Sequence, residues 1–243
     1  MTLSYFDAVR RLLDRAEAAN AGSIAQAAEA WARCILDGGV LHTFGTGHGH
    51  LLAEELFHRA GGLAGVNPIL DPGVMMREGT DSATALERLP GYAEVVLMRY
   101  DVRPGDLILI ASNSGRNAVP IEMALLCKDR GLTVVALTSV AHSSSQTSRH
   151  ASGKRLFEIA DIVFDNCGAI GDAALHLDGM TGDICASSTV IGAALLQQWT
   201  AETARLLLAQ GIQPPVLQSS NVDGADAGNA VLLERYRARV KHQ

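Results

Sequence analysis

No Cys-x-x-Cys pair occurs in the 243 residues, and the four cysteines, Cys34, Cys127, Cys167 and Cys185, stand far apart. That spacing excludes a zinc knuckle and a dithiol redox motif, and it predicts reduced, mostly buried thiols in a cytoplasmic protein. No apolar run approaches the roughly 18 residues needed to span a bilayer, and the first residues hold no continuous apolar h-region, so no membrane association is expected. Basic stretches are missing as well. With a net charge of −6 and a pI near 5.7, the chain lacks the electrostatic footprint of a nucleic-acid binder. What is expected is a soluble chain, 48% hydrophobic and 19% charged, long enough for one sizeable core without a second domain.

Strand-like and helix-like stretches alternate along the whole length. Phe6, Val9, Leu12, Leu13 and Ala16 recur at helical spacing, and Ser23 with Gln26 matches a capping box for a second helix that stops at Gly38-Gly39. Two helices are therefore predicted over residues 1–38, forming an arm that packs on the core or on a partner subunit. Short apolar runs at 40–44, 66–70, 107–110, 134–137 and 159–165 predict core strands. Helices are predicted at 51–60, from Pro120 to Asp129, at 187–209 and at 230–241, while 92–100 reads equally as helix or strand. The class is α/β: a three-layer αβα sandwich around a doubly wound, mostly parallel sheet of about five strands, with ligands at the carboxyl ends of the strands.

Several loops fall at that edge. Leu107 to Ile110 runs into Ser112-Asn113-Ser114-Gly115-Arg116-Asn117, and Pro120 follows early in a helix, where its missing N–H costs nothing. Unpaired amides and the positive end of the helix dipole converge on this turn, with two hydroxyls and Arg116 beside them. An anion such as phosphate suits that chemistry, as does a plain N-capped turn. Gly45-Thr46-Gly47-His48-Gly49-His50 forms a second cradle, in which His50 stands where a dinucleotide fingerprint needs glycine. Likewise Ser148 stands where a P-loop containing Gly153-Lys154 needs its first glycine, which excludes that motif. The serine-rich loop 139–154 has a composition compatible with disorder. His50, Glu54 and His58 would share a helix face, but the outer two sit about 12 Å apart at 1.5 Å per residue, too far for one metal ion, so no metal is assigned.

Taken together, these residues resemble the sugar isomerase (SIS) domain, with Ser112-Asn113-Ser114-Gly115 at a strand–helix turn, Gly45-Thr46-Gly47 before it and Ser187-Ser188-Thr189 after it. The resemblance covers nearly the entire chain. More narrowly, Gly45-Thr46-Gly47-His48, Ala53-Glu54-Glu55-Leu56-Phe57, Ser148-Arg149-His150, Ser152-Gly153-Lys154-Arg155-Leu156 and Gly171-Asp172-Ala173 are similar to stand-alone SIS proteins assigned as phosphosugar or phosphoheptose isomerases. The resemblance implies one domain over residues 1–243, a sugar phosphate as ligand, no cofactor, and a homodimer or homotetramer with sites at subunit interfaces. It implies that Ser112, Ser114, Asn117, Thr138 and Ser139 hold the phosphate and that Ser188 and Thr189 line the same pocket. Gly45, Thr46, Gly47, Asn113, Gly115, Arg116 and Ser187 complete the candidate binding set. Two positions depart from that pattern: Gly49 replaces a serine, and Gly228 replaces a histidine that precedes the asparagine of a C-terminal Asp-Gly loop.

Interconverting an aldose and a ketose phosphate needs a base to move a proton between C1 and C2 and a group to open the ring. Glu54, Glu55 and Glu87 are the candidate bases, with His48 assisting. A non-catalytic phosphosugar sensor and an elimination of the etherase kind are the alternatives. The first 38 residues show no basic helix-turn-helix that a transcriptional sensor would need.

Overall fold

A computed structural model describes residues 4–243. Every strand expected at the core is present: β1 (Leu41–Gly45), β2 (Val66–Ile69), β3 (Leu107–Ala111), β4 (Thr133–Thr138) and β5 (Ile162–Asp165). They form one sheet in the order β2-β1-β3-β4-β5, and all four pairings are parallel. The central strand β3 is buried throughout, and its side chains alternate between the two faces, as the pleat requires. Leu107 and Leu109 pack on one side with α1 (Tyr5–Leu36) and α7 (Ser188–Ala209), whereas Ile108 and Ile110 pack on the other with α4 (Tyr92–Leu97) and α5 (Ala118–Asp129). The remaining helices are α2 (Gly49–Glu55), α3 (Thr80–Glu87), the one-turn α6 (Val140–Ser144) and α8 (Ala225–Glu234).

The two helices expected at the N-terminus are one helix of 32 residues, and Ser23 lies inside it rather than capping a second. The reason is tertiary. Asn20 is buried, its Oδ1 accepts from the Asp165 amide at 2.8 Å, and its Nδ2 donates to the carbonyls of Asp165 at 2.8 Å and Ala16 at 2.6 Å. This fastens the middle of α1 to the edge strand β5. Beyond it Ile24 and Trp31 are buried, with the Trp31 ring 4.7 Å from that of Trp199 on α7. Interrupting the helix at Gly22 would spare about 1 kcal/mol of glycine cost but forfeit roughly 1.5–3 kcal/mol for each large side chain exposed.

Three other regions differ from expectation or settle it. Residues 92–97 are helical, as α4. The serine-rich loop is ordered: Ser139 caps α6 by accepting from the His142 amide at 3.1 Å, and the Ser148 hydroxyl donates to the Lys154 carbonyl at 2.8 Å. The expected connection at 168–182 carries an antiparallel hairpin, β6 (Ala173–Leu175) with β7 (Ile184–Ala186). The last helix, expected at 230–241, is α8 over Ala225–Glu234, and the segment after it packs at the amino ends of the strands, where the Lys241 amide donates to Asn67 Oδ1 at 3.0 Å.

Asp106, just before β3, gathers that lower edge. Its carboxylate accepts from the amides of Val40 at 3.0 Å and Arg103 at 2.8 Å, pairs with His42 at 3.2 Å, and binds Arg239 of the C-terminal segment at 2.5 Å. Burial works to raise the Asp106 pKa, but the hydrogen bonds from His42, Val40 and Arg103 outweigh it and hold the carboxyl below its ordinary value.

Candidate functional site

From β1 the chain crosses outward to β2 on one side, and from β3 it proceeds to β4 and β5 on the other. The loops leaving β1 and β3 therefore diverge and leave a crevice between them at the carboxyl edge. A cavity of about 330 Å³ occupies that place. Its walls come from the loop after β1, the end of α3, the turn before α5 and the approach to α7, with Leu137 at the end of β4, His142 on α6 and Asn166 after β5 completing the lining.

On the β1 wall, two glycines are required by close packing. A Cβ on Gly45 would stand 2.2 Å from the Gly49 carbonyl oxygen, and one on Gly49 would stand 2.3 Å from that of Ala111. With this backbone a serine at position 49 has no room unless the loop shifts. Thr46, buried at the cavity, donates its hydroxyl to Glu87 Oε1 at 2.7 Å, so the end of α3 is held across the mouth. Gly47 and His48 also line the cavity, and the His48 side chain makes no capping bond to α2.

The α5 wall is built from the serine turn. Ser112 Oγ accepts from the Gly115 amide at 3.2 Å, and Gly115 adopts φ +55°, with Leu156 Cβ 3.1 Å from where its own Cβ would be. Ser112, Asn113, Ser114 and Asn117 face the cavity. Asn117 Oδ1 accepts from Arg149 Nη1 at 2.8 Å, and Asn113 Oδ1 from Asn166 Nδ2 at 2.9 Å, so both side chains are held from behind. Among the described residues, no acceptor pairs with the amides of Ser114, Asn117 and Ala118. Their free donors are what a helix N-terminus offers to an anion.

The opposite wall is different. Ser188 and Thr189 at the start of α7 line the cavity together with Asp172, whose carboxylate accepts from the Ser188 amide at 2.8 Å and the Ser188 hydroxyl at 2.6 Å. Ser187 also serves Asp172, donating its amide at 3.2 Å.

The structure therefore brings Thr46, Gly47, His48, Glu87, Ser112, Asn113, Ser114, Asn117, Ser188 and Thr189 to one cavity. It places the other candidates elsewhere. The Thr138 hydroxyl donates to the Asn113 carbonyl at 3.0 Å and the Ser139 hydroxyl to the Gly168 carbonyl at 2.8 Å; both brace loops beneath the turn. Arg116 reaches away to Gln146 at 3.0 Å and the Thr147 carbonyl at 2.8 Å. Gly45 and Gly115 shape backbone, as described. Glu55 is tied to Arg59 and Gln197, each at 3.0 Å. Glu54 Oε2 lies 3.4 Å from His50 Nε2, outside the cavity lining. Helix α2 stops at Glu55 and His58 takes φ +47°, so the His50, Glu54 and His58 face is not continuous.

Three polar cavity residues escaped the sequence reading: His142, Asn166 and Asp172. Asp172 lies in Gly171-Asp172-Ala173, a stretch singled out without a role. His142 was hidden in a serine-rich loop, although Ser139 three residues before it is a good helix cap. Its Nδ1 accepts from the Gly171 amide at 3.2 Å, which leaves the proton of the neutral ring on Nε2. His50 is buried beside this site, and desolvation, reinforced by Arg77 and opposed by Glu54, lowers its pKa. Burial pushes the Cys34 and Cys127 thiols up to about 12, so neither is a thiolate nucleophile at neutral pH. No helix of the described residues is long and apolar enough to cross a membrane.

The pattern of the SIS domain matches residues 4–139. The chain belongs to the SIS domain family. Over its full length it is similar to a UPF0309 protein of Thermoanaerobacter pseudethanolicus, 44% identical over 246 residues that cover 100% of both chains. A UPF0309 protein of Listeria monocytogenes serotype 4b is 41% identical over 240 residues, 99% of this chain and 97% of the relative. Among solved structures, a phosphoheptose isomerase from Francisella tularensis shares the fold with a TM-score of 0.51 at 16% identity, over 83% of this chain and 95% of that one. Phosphoheptose isomerase GmhA from Neisseria gonorrhoeae does so with a TM-score of 0.50 at 20% identity, over 82% and 92%.

Proposed function

We propose that the cavity binds a sugar phosphate with the phosphate on the start of α5, and that the protein is an aldose–ketose isomerase. The observation that carries the reading is the pair of unpaired amides at Ser114 and Asn117, beside the Ser112 and Ser114 hydroxyls, at the switch point of the sheet. The SIS family membership and the likeness to phosphoheptose isomerases support it. Glu87 is the base, since it alone of the three candidate glutamates lines the cavity. On an open-chain aldose phosphate it takes the proton from C2 while His142 Nε2–H protonates the carbonyl oxygen at C1, giving an enediol. Return of the Glu87 proton to C1, with the C2 hydroxyl proton passing back to the imidazole, yields the ketose. His48, on the same cavity, assists ring opening. The ligand would complete a homo-oligomeric cytoplasmic enzyme that needs no cofactor.

A thermal-shift panel of pentose, hexose, heptose and amino-sugar phosphates tests binding. NMR of any hit in heavy water then tests chemistry. Stabilisation with deuterium entering at C1 or C2 is expected. Stabilisation without exchange would convert the assignment to a sensor, and no stabilisation by any member would end the phosphosugar reading.

A further inference from the structure

We infer that Asp172 makes the cavity selective for sugar phosphates charged at one end only, excluding bisphosphates and phosphorylated sugar acids; this rests on the phosphosugar reading above. Helix α7 is 22 residues long and begins on the cavity, so its N-terminus would ordinarily offer a second seat for an anion. That seat is filled from within the chain. Asp172 Oδ1 accepts from the Ser188 amide at 2.8 Å and the Ser187 amide at 3.2 Å, and Oδ2 accepts from the Ser188 hydroxyl at 2.6 Å.

Reaching this position holds Asp172 at φ +69°, in the left-handed region that few residues other than glycine, asparagine and aspartate adopt. Cys167 at φ +55° precedes the same hairpin and Cys185 at φ +70° lies within β7, so three of the four left-handed non-glycine residues among those described fall between residues 167 and 185. Backbone strain of that kind persists only where surrounding contacts fix it. Here the contacts are those that deliver a carboxylate to the cavity.

The consequence for a ligand is directional. A phosphate finds free amides at α5. At α7 it finds the Ser187 and Ser188 amides already used, the Thr189 amide alone without an acceptor among the described residues, and a negative charge in front of them, while Glu87 adds a second carboxylate to the same cavity. A monophosphate therefore enters in one orientation, and a second anionic group at α7 meets the Asp172 carboxylate. Oδ2 takes one donor among the described residues, which leaves it capacity to accept a sugar hydroxyl or an ammonium group. The accepted class is thus a monophosphate whose far end carries hydroxyl or amino groups.

The test is isothermal titration of the full chain with matched pairs, fructose 6-phosphate against fructose 1,6-bisphosphate and ribulose 5-phosphate against ribulose 1,5-bisphosphate. The wild-type chain is expected to bind the monophosphate of its preferred pair at least about tenfold more tightly, since like charges placed together oppose binding strongly. Asp172→Asn keeps the shape, the acceptor oxygen and tolerance of the left-handed backbone; it should shrink that ratio by about tenfold. Asp178→Asn, the same charge change on an exposed part of the hairpin, should leave the ratio in place. Equal wild-type affinity for both members of a pair overturns the proposal without need of a variant. So does an unchanged ratio in folded Asp172→Asn, or an equal shift in Asp178→Asn; each leaves the phosphosugar reading standing. Failure of every sugar phosphate to bind overturns both.

Discussion

Helix α5 begins on the cavity behind the serine turn Ser112 to Asn117, and α7 begins there with Ser188-Thr189, yet the amides of Ser114 and Asn117 stand unpaired at one while Asp172 takes the Ser187 and Ser188 amides at the other. Both turn the positive end of a helix dipole to the cavity, and both stand beside hydroxyl groups. What separates a binding end from a closed one is whether the chain has already supplied the anion, and that is decided by a residue 16 positions away from Ser188. A hydroxyl-rich helix start is therefore evidence of a site only after its internal partners are known.

The largest effect that would sharpen this contrast concerns the space between the two helices. Glu87→Gln should lower turnover by about 10²–10⁴-fold with little change in ligand affinity, because a general base contributes to the transition state rather than to binding. Parallel losses of kcat and affinity would instead make Glu87 a binding residue held by Thr46. Next, Ser114→Ala should weaken sugar-phosphate binding by about 1.5–3 kcal/mol, the worth of a hydrogen bond to a charged group, as read by titration. Ser188→Ala should do the reverse: affinity nearly unchanged, and unfolding free energy in urea lower by about 0.5–2 kcal/mol, because its hydroxyl serves the internal carboxylate. If the two variants exchange these effects, the assignment of open and closed ends is backwards. The smallest effect belongs to a third helix start, that of α2. The folded pKa of His50 lies below the ordinary imidazole value, so the unfolded chain takes up a proton first as pH falls. Stability is therefore full above about pH 6.5 and declines as pH drops towards the folded value. His50→Gln should flatten the urea midpoint between pH 7 and pH 5. An unchanged slope would point to His242, whose pKa burial also lowers.

Much of this architecture was legible because it is local. Leu107 to Ile110 reads as a buried strand from its apolar run and turn residues, and Pro120 marks the helix start after it, although whether the amides there were free or capped stayed open. What was not legible depends on partners far off in sequence. Asn20 makes α1 continuous by bonding to Asp165, 145 residues away, and overrides the local capping signal at Ser23. Thr138 and Ser139 have the chemistry of phosphate ligands but spend it on the carbonyls of Asn113 and Gly168. Strands β6 and β7 have three residues each and β7 is exposed, so neither carries an alternation to detect. Among the glutamates, only tertiary placement separates Glu87 from Glu54 and Glu55.

The Asp106 cluster has a consequence for how changes combine. Asp106 and Ser112 stand at opposite ends of β3, about 20 Å apart at roughly 3.3 Å per residue. One end gathers the C-terminal segment through Arg239, and the other faces the ligand cavity. Groups that far apart with no shared partner contribute additively. Asp106→Asn combined with Ser114→Ala should show the stability loss of the first and the affinity loss of the second with no coupling between them. The carboxyl edge of the sheet is then free to change its ligand over evolutionary time while the amino edge keeps the chain folded.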